Sequence, residues 1–294
     1  MCAMPQPHDD YKPTPPRQAV IAAQNNAALD HLLTRLSGVL GHYPPSPVVL
    51  DRFICSDPKL KERILRAVHQ FATPDREHPL DTIADCMEVM SDSVVTEIAM
   101  VMILDQINAE VFKGSGFLSR EMTKHAVATA AVLKWLAQRQ GTDADIAFIH
   151  GMLYRIGIPV LCNWNPLNYA QAIAKIPGTS VQLVDAERSI MTIDHFMAGT
   201  EMAIVYEFPH WFQEELDPTR LPTPTRRNVA FASTVAHKLG YDMGLANRGP
   251  DLTPKMLQAA KMEQDELPEL RHYVMRAVRD FNSYHVDPNS IEPR

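Results

Sequence analysis

Three histidines, His125, His150 and His195, fall on predicted helices in the second half of the chain, and the last directly follows Asp194. Imidazoles and carboxylates brought together from several helices are what a dinuclear hydrolytic centre uses: the ions lower the pKa of a bound water and clamp a phosphate. The residue types are partly present. Their spacing is not diagnostic, because ligands drawn from separate helices keep no fixed interval, and an isolated histidine is more often a hydrogen-bonded core residue. The stretch FIHGMLYRIGIPVL, residues 148–161, sharpens the question. It reads as a buried helix, yet it places His150, Tyr154 and Arg155 among apolar residues. No GxGxxG, P-loop, GxSxG or HExxH motif accompanies it.

The elements that must position these residues read as helices throughout. NNAALDHLLTRLSGVLGHY sets Ala28, Leu32, Leu36, Val39 and Leu40 at helical spacing, and PPSP stops it. SDPKLKERILRAVHQF offers Ser56 as an N-cap, Pro58 in the first turn, and Leu60, Ile64, Leu65 and Val68 on one stripe. Asp81 and Ser91 or Asp92 cap the next two helices, and KGSG at 113–116 closes the first half. In the second half Ser119 caps a helix that Gly141 ends, and Ile146, Ile149, Leu153, Ile156 and Val160 keep one face apolar. Further amphipathic stretches follow, and strand patterns are scarce. The predicted fold is all-α: a multi-helix bundle with a smaller N-terminal helical subdomain. The expected organisation is a flexible Pro-rich tail over 1–27, a helical domain over 28–245 divided into 28–113 and 117–245, and a C-terminal helical extension over 246–294.

Composition narrows the functional classes. The 294 residues, 46% hydrophobic, can bury a sizeable core. A formal charge of -7 argues against general affinity for nucleic acid or anionic membrane. Four scattered cysteines without a CxxC pair indicate neither a zinc ribbon nor a disulfide framework, so a reducing cytoplasm is the expected setting. The N-terminal sequence lacks the basic start and apolar run of a signal peptide, and no membrane span is expected. Trp211 and Phe212, and the methionines Met87, Met90, Met100 and Met102, read as core residues before they read as a partner surface.

HGMLYRIGIPVL resembles the segment that HDOD-domain proteins write close to aGLLHDIGklvL, and His125 lies where the first histidine of the HD pattern would fall. TIDHFMAGTEMAIVYEFP is similar to the family's gvDHaevGalLlerWglP, with Asp194, His195, Gly199 and Pro209 in matching places. YPPSP and SDPKLKERILRAVHQF resemble its lPplP and DPaLtarlLrlaNSa, with His69 in the asparagine place. The resemblance implies an all-helical bacterial relative of the HD and HD-GYP-type metal-dependent phosphohydrolases, in a family regarded mainly as signalling or regulatory modules.

The departures from the catalytic pattern bear directly on chemistry. Tyr154 stands in the place of the HD histidine, Arg155 in the place of the aspartate, and Ser233 where a later aspartate would complete the set. A guanidinium carries only donors and repels a divalent cation, so of the four positions only His125 keeps a ligand type. The expected function is therefore a non-catalytic signal-transduction module with a degenerate metal site. No metal or cofactor is expected; the expected partner is a protein in a signalling pathway, with a nucleotide-type small ligand as a further option. The alternative is a divergent phosphohydrolase whose ligands have moved to His125, His150 and His195. For Arg155 two readings stand: an ion pair with Asp194 or Glu201, favoured because a buried arginine needs a partner, or an anion-binding role in a pocket with His150 and His195.

Overall fold

The computed structural model describes residues 13–72, 80–114, 116–217, 224–246, 249 and 251–283. Among the described residues the α-helices are α1 (Pro15–Asn25), α2 (Ala27–Gly41), α3 (Pro47–Ile54), α4 (Pro58–Ala72), α5 (Ile83–Val89), α6 (Asp92–Val111), α7 (Gly116–Gln140) and α8 (Ala144–Leu153), then α9 (Gly157–Trp164), α10 (Pro166–Ala174), α11 (Leu183–Met191), α12 (His195–Val205), α13 (His210–Leu216), α14 (Pro224–Lys238), α15 (Pro254–Ala259) and α16 (Leu267–Ser283). No strand occurs among the described residues. The all-α expectation holds.

The longest helix, α7, is the axis of the bundle, flanked by α6, α8, α14 and α16. α6 is buried around most of its circumference, enclosing Val95, Ala99, Met100, Met102, Ile103 and Ile107 together with the polar Thr96, Glu97, Asp105 and Asn108. α8 lies against α7 so closely that Gly151 has no room for a side chain: a Cβ there would stand 2.5 Å from the Ala130 Cα. α9 crosses α12 in the same manner at Gly157 and Gly199. The glycines of the HGMLYRIG stretch are thus the contact points of two helix crossings.

Several sequence expectations are corrected. Residues 15–25, assigned to the flexible tail over 1–27, form α1, which buries Ala19, Val20 and Ala23 against α9 and α12; residues 1–12 lie outside the described part. The prolines misled: Pro15 and Pro16 occupy the first helical turn, where a missing N–H costs nothing. The cap of α4 is Asp57, whose carboxylate accepts the Lys59 and Leu60 N–H groups, and Ser56 lies outside the helix. Thr82 with Asp85 forms the capping box of α5 in place of Asp81. Ser119 sits inside α7, not at its start. The apolar run from Ile146 to Val160 is two helices, broken at residues 154–156. Pro159, without an N–H, cannot continue the ladder of α8, but fits the first turn of α9.

The stretch Ala144–Trp164 is long and apolar enough to cross a membrane by composition. It comprises both α8 and α9, is 83% buried inside the bundle, and forms core. The C-terminal residues Leu270, Val274, Val278 and Phe281 of α16 are buried beside α7, so this extension closes one side of the bundle.

Candidate functional site

His125 is placed by the middle of α7 and buried. Its Nδ1 lies 2.6 Å from the Tyr241 carbonyl oxygen, which only accepts, so the proton is on Nδ1. Burial, and secondarily the nearby Arg155 charge, push the imidazole pKa down to about 3. The ring is therefore neutral near pH 7 and Nε2 is an acceptor. The hydroxyl of Tyr154, at the C-cap of α8, fills it at 2.7 Å. Ser233 of α14 lies 2.9 Å from the same hydroxyl and 3.3 Å from Nε2. The Arg155 guanidinium carbon stands 5.0 Å from the Tyr154 ring centroid, a cation-π arrangement. Helices α7 and α14 and the α8–α9 turn thus bring together all four positions singled out from the sequence.

Arg155 does not make the expected ion pair. Asp194 caps α12 by accepting the Met197 N–H at 2.9 Å and pairs with Arg188 at 2.5 Å. Glu201 pairs with Arg17 of α1 at 3.2 Å. Both acids are taken by cations from elements that the sequence did not bring to them. The polar contact of Arg155 is Nη1 to the Met243 sulfur at 3.2 Å, and its Nε is buried without a hydrogen-bond partner. No carboxylate among the described residues pairs with it. The Tyr241 carbonyl and Met243 sulfur both come from the turn after α14. There Met243 adopts φ +62° and Asp242 accepts the Gly244 and Ala246 N–H groups. The Tyr241 contact is a main-chain acceptor, so no residue type announces it.

The other two histidines stay apart from His125. His150 stacks on Trp211, ring centroids 5.1 Å apart and planes 14° apart, and meets the edge of Phe212 at 5.8 Å. His195 is fully buried; its Nδ1 and its backbone N–H both reach one oxygen of Glu187, at 2.6 and 3.0 Å. Glu187, eight residues before His195, is a site-supporting residue that the sequence reading passed over. Among the described residues no three His, Cys, Asp or Glu side chains are grouped to hold a metal ion. The donor set does not fit the divalent ions of the HD class. One engaged imidazole nitrogen, a phenol and a serine hydroxyl face a position where a guanidinium repels a cation.

His125, His150, Tyr154, Arg155 and Ser233 line a common cavity of about 480 Å³, whereas Asp194, His195 and Glu201 do not line it. Burial pushes the His150 pKa down from 6.5 to about 4. Because the native state resists the proton that the unfolded chain accepts, this imidazole contributes stability above about pH 6.5 that is lost as pH falls toward 4. His150→Phe keeps the stack and removes the titration. Its unfolding free energy is expected to fall less steeply between pH 6.5 and 4 than that of the wild type, by about 1.4 kcal/mol per pH unit. Urea denaturation at pH 7, 6 and 5 measures this; equal slopes for the two proteins contradict it.

An all-helical bundle that converges residues from its long central helix, the following helix end and a later helix on one cavity defines the HD-like class. Within that class, residues 27–217 match the HDOD domain family, and the chain belongs to it. An HDOD domain protein of unknown function from Geobacter sulfurreducens is 14% identical, with 91% of this chain and 94% of that one covered and a TM-score of 0.56. A candidate phosphohydrolase from Shewanella amazonensis SB2B is 16% identical over 91% of this chain and 98% of its own, with a TM-score of 0.61. A candidate signal transduction protein from Marinobacter aquaeolei VT8 is 13% identical over 89% of this chain and 65% of its own, with a TM-score of 0.60. At these identities the likeness is one of fold. No curated protein matches the chain.

Proposed function

We propose that this HDOD protein is a non-catalytic bacterial signalling module of the cytoplasm that acts by binding a protein partner, its HD metal position closed by its own side chains. The observation that carries the reading is the 2.7 Å bond from the Tyr154 hydroxyl to His125 Nε2, with Ser233 completing the triangle. It uses the His125 nitrogen that would ligate an ion at the HD position, and the neutral hydroxyls supply no charge to offset one. The likeness to a candidate signal transduction protein supports a signalling role, and the acidic net charge supports a partner other than nucleic acid. The alternative phosphohydrolase with relocated ligands needs His125, His150 and His195 to converge, but both nitrogens of His125 are engaged by Tyr241 and Tyr154, and His195 is bound to Glu187 and does not line the cavity that His125 and His150 share.

Elemental analysis of protein purified without added metal tests the proposal, together with an assay of bis(p-nitrophenyl) phosphate hydrolysis in the presence of manganese or iron. The expected result is substoichiometric metal and no hydrolysis above the metal-only control. One equivalent of manganese, iron or zinc per chain, or turnover that Tyr154→Phe alters, overturns it.

A further inference from the structure

We propose that the cavity beside Arg155 binds a small amphiphilic organic anion of single negative charge, with its head on the guanidinium and its body along the apolar wall formed by Leu183, Phe196, Leu216 and Val229. This rests on the reading that the HD position holds no metal, and gives the remaining space an occupant. Three independent observations carry it.

The first is the charge. Arg155 lines the cavity, has its Nε buried without a hydrogen-bond partner, and touches a thioether and a phenol ring where an arginine so placed ordinarily meets a carboxylate. Arg155 is half-buried, and drawing part of a guanidinium out of water without a counter-charge costs free energy that a bound anion offsets. The second is His150, also lining the cavity and 5% exposed, whose Nε2 has no hydrogen-bond partner. A neutral imidazole offers one more N–H donor to an anion without adding charge. The third is shape. About 480 Å³ lies within the range of small-molecule sites, and an inorganic ion would leave the apolar wall wet. Of the Arg, Lys, Asp and Glu side chains lining the cavity, Arg155, Arg226 and Glu215, the guanidinium groups outnumber the carboxylate by one, which matches one negative charge. A polyphosphate would bring surplus charge into an apolar site, which disfavours nucleoside triphosphates.

Two sources share this chemistry: a carboxylate with a hydrocarbon body and a phosphodiester with a flat one. The test uses the full chain and a fluorescent pair with the same aromatic character, 1-anilinonaphthalene-8-sulfonate and the uncharged N-phenyl-1-naphthylamine. The sulfonate is expected to bind one per chain at least tenfold more tightly than the neutral dye. Arg155→Gln is expected to weaken the sulfonate tenfold or more while changing the neutral dye less than twofold. Displacement by decanoate identifies a carboxylate site, displacement by 3′,5′-cyclic AMP a phosphodiester site, and displacement by both the shared class. Equal binding of the two dyes, an unchanged sulfonate affinity in Arg155→Gln, or displacement by neither competitor overturns the inference. If Arg155→Gln fails to fold, Ala230→Trp decides: Ala230 is an exposed residue on the cavity wall, and the indole is expected to fill the space and abolish dye binding. Retained binding in that variant overturns the inference too. A metal-free protein that binds no dye leaves the non-catalytic reading standing, whereas stoichiometric metal sinks that reading whatever the dyes do.

Discussion

Gly157→Ala is expected to lower the unfolding free energy by about 3 kcal/mol or more, the upper end of what overpacking costs. A Cβ at this position would lie 1.9 Å from the His195 carbonyl oxygen and 2.6 Å from the Gly199 nitrogen. Both are backbone atoms of α12 and cannot rotate away, so the helices must separate. That moves Phe196, on the cavity wall, relative to the turn carrying Tyr154 and Arg155. Gly199→Ala meets its nearest atom, the Gly157 nitrogen, at 3.3 Å and is expected to cost less. Gly41→Ala, at the end of α2 with nothing within 4 Å, is expected to stay within about 1 kcal/mol of the wild type. Guanidinium denaturation of the three variants measures the order. A Gly157→Ala protein as stable as Gly41→Ala would show that the α9–α12 crossing does not need its glycine.

The same crossing explains what the sequence made legible. Apolar periodicity located most helices, and motif order located His125, Tyr154, Arg155 and Ser233, because helix faces and their succession are properties of local sequence. The four side chains do converge. The partner of Arg155 was not legible, because which acid meets which cation depends on elements distant in the chain. Glu201 is claimed by Arg17 from a helix 184 residues away, itself hidden behind prolines that start α1 rather than preclude it. Asp194 is claimed by Arg188 across the turn at Thr192, whose φ of +66° folds the end of α11 back on the start of α12. A reader counting acids on the neighbouring helix sees candidates for Arg155 but not the competitors that reach them first. Main-chain acceptors such as the Tyr241 carbonyl leave no trace in residue type at all.

The geometry around Glu187 bears on whether His195 is a metal ligand in reserve. Glu187 and His195 are both fully buried, and one carboxylate oxygen receives the imidazole Nδ1 at 2.6 Å and the His195 N–H at 3.0 Å. Glu187→Ala removes the acceptor from both donors in a site without solvent, and is expected to cost about 3–5 kcal/mol, as breaking a buried pair from one side does. Adding His195→Phe to Glu187→Ala removes the stranded imidazole and fills its volume. The double variant is then expected to be more stable than Glu187→Ala alone, with a coupling energy of about 2 kcal/mol between the two positions. A ligand in reserve behaves differently: manganese would raise the melting temperature of the wild-type protein, and His195→Phe would remove that rise. Denaturation of the wild type, both single variants and the double variant, each with and without manganese, separates the two. The pair turns the start of α12 and so aims Phe196 at the cavity. On this account His195 serves the site by holding its wall in place, and additive single-variant effects with a manganese-dependent melting temperature would refute it.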